Sequence, residues 1–343
     1  MAQTHRKKRR RRTSPARRAA KIFYGILVVI SALIVTLFCV YKLLAKEPEM
    51  AAEPTPEPAQ PGTSAEPTTG RQRKLYTYTF LLVAKDQVGS NADTMIVCTY
   101  DTVAQTVGMV SIPRDTLVES GKLNAVYQQG IEVLRDTISD MLGIPIDFYV
   151  GINMDGFKEL VDELGGIEFN VPVHMSYDDP AQDLHIHYEP GLQHLDGQDV
   201  LNVARCRKNS DGPGTYPDNI YSAYPDNDIG RTRTQQQLIG TILKKALSNP
   251  QKINRYIEIF LEYVNTNLEF GEMLWFAEPA LGFDFENGMT SATLTGDGNT
   301  YYPGWGQYCY QLYPEETLET VNQLINPYDQ DLTLEDMNIF QYQ

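Results

Sequence analysis

Residues 148–171 read FYVGINMDGFKELVDELGGIEFNV, and their pattern decides the fold class. The apolar run 148–152 has the length of a strand, 155–164 is a helix stopped by Gly165-Gly166, and 167–171 is a second strand. Strand, helix and strand in succession build an α/β layer architecture. Upstream, YTYTFLLVA (76–84), MIVCTY (95–100) and VGMVSI (107–112) are further strands, and the turn at 101–105 joins the last two into a hairpin. Over 124–142, Val126, Ile131, Leu134, Ile138 and Met141 recur at helical spacing, and Gly143 ends that helix. The sum is a three-layer α-β-α domain with a mixed central sheet, whose ligands belong beyond the strand ends, where loops cluster.

Downstream, GLQHLDG (191–197) precedes a helix over 198–204, and a polar insertion fills 208–227. Helices follow at 229–247, 252–265 and 272–281. Residues 287–313 are rich in Gly, Tyr and Pro and hard to read, and the chain closes with a helix over 315–325 and an acidic tail.

The N-terminal region has a different character. Residues 1–21 carry 10 of the 29 Lys and Arg and no acid, leaving 19 basic against 44 acidic residues beyond them, a net of −25. The basic block directly precedes the uncharged run IFYGILVVISALIVTLFCVY (22–41). Twenty residues at helical rise span roughly 30 Å, the thickness of a bilayer core. Residues 22–44 are therefore read as a single uncleaved transmembrane helix, too long and too poorly flanked for a cleaved leader, with the N-terminus cytoplasmic and the rest outside. The basic tail then serves topology and anionic-lipid contact rather than nucleic-acid binding. Residues 45–70, rich in Pro, Glu, Ala and Thr, form an extended solvated linker.

Cys98, Cys206 and Cys309 lie beyond the span; an odd number at wide spacing makes no disulfide framework, although one bridge, Cys206 with Cys309 for example, stays open. His174, His185, His187 and His194 fall close together, with Asp183 and Glu189 between them. On a strand, His185-Ile-His187 would point two imidazoles to one face, as a zinc site requires, yet the segment is polar and lacks a second pair at familiar spacing. The tyrosines at 216, 221, 224, 301, 302, 308, 310 and 313 either stack on sugars or pack at the surface.

Nine arginines follow the apolar span, and five of them sit in three short motifs: Arg114 in SIPRDT (111–116), Arg205 and Arg207 in VARCR (203–207), and Arg231 and Arg233 in DIGRTRTQ (228–235). Guanidinium groups stay charged and present a planar fork of donors that matches phosphate oxygens, so several held together make a pyrophosphate clamp. With 44 acids in the chain, structural ion pairing is the competing reading. Arg205 and Arg207 are two apart and reach one ligand only where a helix ends between them. Arg231 and Gln235 share a helix face in the first turns after Asp228, a candidate N-cap, where the dipole also favours an anion. Asp86 closes a strand and Asp93 lies seven residues on, so the loop between them can bring both carboxylates to one point. Magnesium takes one or two carboxylates and completes its shell with phosphate oxygens and water. Asp93 and Asp115 are the candidate general bases, and the helices over 124–142 and 229–265 are apolar enough to line a lipid slot.

The order of motifs resembles the LytR-CpsA-Psr family of cell-envelope phosphotransferases. The matching pieces are LVAKD (82–86), NADTMIV (91–97), SIPRDT (111–116), KLNAVY (122–127), YVGIN (149–153) with LVDELGG (160–166), VARCR (203–207) and DIGRTRTQ (228–235). The resemblance implies a Gram-positive-type envelope enzyme, anchored by one span, that moves a glycopolymer such as teichoic acid or capsule from a polyprenyl pyrophosphate carrier to peptidoglycan as a phosphodiester. It implies that Asp86 and Asp93 bind Mg²⁺, or Mn²⁺ in its place, and that Arg114, Arg205, Arg207, Arg231 and Gln235 hold the phosphates. It places the catalytic domain at 71–265 and a packed extension at 266–343. There are departures: Ala84-Lys85 stands before the first Asp where the family has a Gly, Asn91 stands where it has an Arg, and Thr234-Gln235 replaces an Arg-Gln pair, with Arg233 one residue earlier. Lys85 is a candidate substitute for the lost phosphate contact. The rivals are a polyprenyl pyrophosphate hydrolase and a non-catalytic glycan- or lipid-binding regulator.

Overall fold

The computed structural model describes residues 41–51, 71–85, 91–179, 184–215, 217–226, 228–285, 287–304 and 306–342. Contacts divide the chain into Met1–Lys46 and Glu47–Gln343. Of the expected span only 41–44 is described, and it is helical; 22–40 lie outside the described residues, among which no helix is long and apolar enough to cross a membrane.

The second unit begins with strands β1 (Thr77–Lys85), β2 (Ala92–Asp101) and β3 (Thr106–Ser111). Helix α1 (Ile131–Leu142), β4 (Phe148–Ile152), α2 (Met154–Glu163) and β5 (Ile167–Val171) follow. Next come β6 (Met175–Asp179), β7 (Leu184–Tyr188), β8 (Gly191–Leu195) and α3 (Gly197–Arg205). Helices α4 (Asp228–Leu247) and α5 (Ile253–Tyr263), strand β9 (Val264–Thr266) and helix α6 (Phe270–Ala280) lead to β10 (Met289–Thr293). The hairpin β11 (Gly296–Tyr302) and β12 (Gln307–Leu312) and helix α7 (Pro314–Leu324) complete the set.

The central sheet has the order β9-β4-β1-β2-β3-β10 and is mixed: β1 with β4 and β3 with β10 are parallel, the other pairs antiparallel. Alternation along the strands separates its faces. Leu81, Val83, Met95 and Val97 pack on one face with Ile131, Leu134 and Ile138 of α1 and Val321 of α7. Phe80, Leu82 and Phe148 turn to the other face, where Phe260 of α5 and Trp275 and Phe276 of α6 meet them. Ile96 and Cys98 join Ile239 of α4 on that same side. The three-layer expectation holds for this domain.

Two readings change and one open question closes. First, β5 is not in the central sheet; it pairs antiparallel with β8. Gly165 and Gly166 both take positive φ (75° and 73°) and turn the chain away, and β5 buries only alternate residues, as a ribbon with one wet face does. Second, 124–142 is not one helix. A single turn (Leu123–Val126) and a 3-10 turn (Tyr127–Gln129) end at Gly130, whose φ of 122° admits no continuation, and α1 starts afresh at Ile131. Third, Cys98, Cys206 and Cys309 are all free thiols and buried.

The central sheet also draws on both sides of position 265, because β10 pairs with β3 and α7 docks on it closely: a Cβ on Gly108 would sit 1.7 Å from the Leu324 carbonyl oxygen. The start of the linker, expected to be solvated, contacts the domain. The Ala51 amide donates to Asp147 Oδ1 at 2.6 Å, and Arg73, beyond the undescribed residues 52–70, forks onto both Asp147 oxygens at 2.8 and 2.9 Å.

Candidate active site

A cavity of about 450 Å³ lies between the second face of the sheet and a smaller apolar cluster built by α2, α3, α4 and the β6–β7 hairpin. At one end it is cationic: Lys85, Arg205, Arg207, Lys208 and Arg231 reach it, against one carboxylate among the described residues, Asp93. At the other its lining is apolar, from Leu82, Ile96, Leu238 and Ile239.

Local structure explains how each charge arrives. Helix α3 ends at Arg205, and Cys206 turns to extended backbone (φ −61°, ψ 116°) with its side chain buried. Alternation across Cys206 then lets Arg205 and Arg207 face one cavity, which a continuing helix would forbid. Burial pushes the Cys206 thiol up to about 12, against the opposing pull of the Arg231 guanidinium, so it stays protonated and unreactive near neutral pH. Helix α4 begins at Asp228, whose side chain lies outside the described set, and one of its faces carries Arg231, Gln235, Leu238 and Ile239 into the cavity. That stripe runs from charged through polar to apolar at i, i+4, i+7 and i+8. Strand β1 repeats the gradient from its C-terminal end, Lys85, Ala84, Leu82.

Gln235 has a task the motif did not reveal. Its amide donates to the Ala204 carbonyl at 2.9 Å, holding the end of α3 immediately before Arg205, while the Thr94 hydroxyl donates to its oxygen at 3.5 Å. Arg114 does not line the cavity; its guanidinium donates to Asp93 Oδ1 and so connects to the cavity through that carboxylate. Asp93 stands inside β2, not ahead of it. Asp115, the other candidate base, is outside the lining and pairs with Lys122 Nζ at 3.2 Å. Asp86 lies outside the described residues, so the pairing of Asp86 with Asp93 does too.

Arg233 is excluded from the cavity: it is exposed and pairs with Asp226 at 2.6 Å, while Thr234 is buried and donates to the Gly230 carbonyl at 3.0 Å. Asn91 accepts from the Gln128 amide at 2.7 Å. Of the two helical stretches expected to line a lipid slot, α1 is spent in the core, and of 229–265 α4 lines the cavity while α5 packs on the sheet through Phe260. The rest of the apolar wall comes from elements whose approach is non-local, Phe157 of α2, Leu201 of α3 and Tyr177, Leu184 and Ile186 of the β6–β7 hairpin among them. Lys208 was also missed, although it directly follows the Arg-Cys-Arg motif.

The LytR_cpsA_psr family model matches residues 72–326. The chain belongs to this family. Among its relatives, the Bacillus subtilis polyisoprenyl-teichoic acid–peptidoglycan teichoic acid transferase TagV is 33% identical over 235 residues, covering 64% of this chain and 56% of TagV. The Streptococcus mutans biofilm regulatory protein A is 31% identical over 248 residues, covering 66% of this chain and 56% of that protein. The chain thus spans little more than half the length of these two relatives. The crystal structure of B. subtilis TagV superposes with a TM-score of 0.59 at 26% identity, covering 72% of this chain and 95% of the crystallised one. The LytR_cpsA_psr match runs through β9 and β10 and ends just after α7, so both edges of the central sheet belong to the family domain.

Proposed function

We propose that this protein transfers a glycopolymer from a polyprenyl pyrophosphate carrier to peptidoglycan, forming a phosphodiester. The single observation that carries this reading is the gradient along one face of α4, from Arg231 through Gln235 to Leu238 and Ile239, mirrored on β1. A ligand that fits it has a multiply charged phosphate head continuous with hydrocarbon. The name of the TagV relative, a teichoic acid transferase acting between a polyisoprenyl carrier and peptidoglycan, agrees with such a ligand.

In the transfer, the acceptor hydroxyl oxygen attacks the phosphorus that bears the glycan. The bond from that phosphorus to the bridging oxygen breaks, and polyprenyl monophosphate leaves with that oxygen. The hydroxyl proton passes to a carboxylate, for which Asp93, on the cavity wall, is better placed than Asp115. Arg205, Arg207 and Arg231, with Lys85, balance the charge on the transferred and departing phosphates; Arg114 orients Asp93; Gln235 fixes the helix end that presents Arg205. The donor set suits a hard cation carried on the substrate: Mg²⁺, or Mn²⁺, would be held by Asp93 and Asp86 and would neutralise phosphate charge. The reading includes a single-pass anchor over 22–44, a cytoplasmic N-terminus and a catalytic domain outside the cell membrane.

The test is a transfer assay with the full chain, a labelled polyprenyl pyrophosphate oligosaccharide, peptidoglycan fragments and Mg²⁺. Label on peptidoglycan is expected with the wild type, and about 10²–10³-fold less with Arg231→Ala, the loss typical when one preorganised charge donor is removed. Free glycan phosphate without conjugate would make the protein a hydrolase, and bound but unchanged lipid would make it a recognition protein.

A further inference from the structure

The β6–β7 hairpin has two different faces. Tyr177 and Ile186, directly opposed across it, turn to the cavity together with Leu184. Alternation sends Asp178, His185 and His187 to the solvent face, where Asp178 stands directly opposite His185. His185 Nδ1 lies 2.6 Å and His187 Nε2 3.2 Å from the same oxygen, Asp178 Oδ1. One ligand atom from each of the three residues lies within 4.8 Å of the others. Zinc–nitrogen and zinc–oxygen bonds of this type imply ligand separations of about 3.4 Å in a tetrahedral shell. The three ligand atoms therefore already stand near the spacing that such a shell needs. The other ring nitrogen of His187 faces the Ser176 hydroxyl at 3.5 Å, an outer contact of the kind that orients a ligating imidazole.

We propose that Asp178, His185 and His187 form a surface site for a divalent transition metal of the zinc class, which cross-links the two strands of the hairpin and fixes the cavity wall on its other face. Two imidazoles and one carboxylate select zinc-like ions over Mg²⁺ and Ca²⁺, which prefer all-oxygen shells. All three side chains are about half exposed, so an ion in solution can reach them. The neighbouring histidines do not offer the same chelate. His174 directs opposite ring nitrogens to Glu189 and Asp211, so the two carboxylates do not converge on one nitrogen, and His194 meets Glu168 alone. The site is separate from the arginine-lined end of the cavity.

The experiment titrates Co²⁺ and then Zn²⁺ into the full chain purified in detergent, following the visible d–d bands of cobalt and the thermal unfolding midpoint. One equivalent should give tetrahedral cobalt bands that Zn²⁺ abolishes and excess Mg²⁺ leaves intact, and Zn²⁺ should raise the midpoint. His187→Ala and Asp178→Ala should each weaken binding by about tenfold or more while unfolding normally in chelator, and His194→Ala should bind as the wild type does. Absence of the bands, or bands that survive in His187→Ala or are lost in His174→Ala instead, would overturn the assignment.

Discussion

At the scale of single residues, the chain uses polar and charged side chains of its motifs as braces. Gln235 braces the end of α3, Arg114 braces Asp93, and Arg233 leaves the cavity altogether for Asp226. The motifs were legible in the sequence because each is short and contiguous; the braces were not, because Gln235 and Ala204 are 31 residues apart. His174 gives a testable pH dependence. Its imidazole is held above its ordinary value by the Asp211 carboxylate first and Glu189 second. A raised folded value means this stabilisation is fully present below the ordinary histidine value, near pH 6.5, and is lost as pH rises through the raised value. The wild-type thermal midpoint should therefore exceed that of His174→Gln at about pH 6 and converge with it in mild alkali.

At the scale of elements, what the sequence made legible was local. The β2–β3 hairpin, the short β4 and the helices α2, α4 and α7 were readable from apolar period and nearby turn residues. Partners distant in sequence were not. β5 has a strand's alternation, but nothing local says that it pairs with β8 rather than with the central sheet, and β10 (MTSAT) is too polar to announce itself as an edge strand beside β3. The contact of α7 with β3 predicts a steric penalty. Gly108→Ala would place its methyl against the Leu324 carbonyl, so the variant should lose about 1–3 kcal/mol in denaturant unfolding as α7 is displaced.

The Asp147 carboxylate belongs to the same scale. It is fully buried and accepts from Arg73, from the Thr79 amide and hydroxyl, and from the Ala51 amide. Removing it strands a guanidinium that is itself only 8% exposed. Asp147→Ala should therefore cost about 3–5 kcal/mol, measurable by chemical denaturation, and release residues 47–51 to proteolysis.

At the scale of the whole molecule, a layered α/β domain and a set of small ribbons enclose one cavity whose character changes from guanidinium to hydrocarbon along its walls. Neither half of that cavity follows from one segment: the cations come from β1, the α3 end with the residues after it and α4, and the apolar wall from the central sheet, α2, α3, α4 and the β6–β7 hairpin. In the proposed function these halves act on one ligand. The most direct measurement compares equilibrium binding of a polyprenyl pyrophosphate oligosaccharide and of its polyprenol counterpart to the full chain, the Arg205→Ala variant and the Leu238→Asp variant. The wild type should prefer the pyrophosphate, Arg205→Ala should erase the preference, and Leu238→Asp should weaken both lipids alike. Equal wild-type affinity for the two lipids, or a Leu238→Asp protein that binds as the wild type does, would contradict this reading.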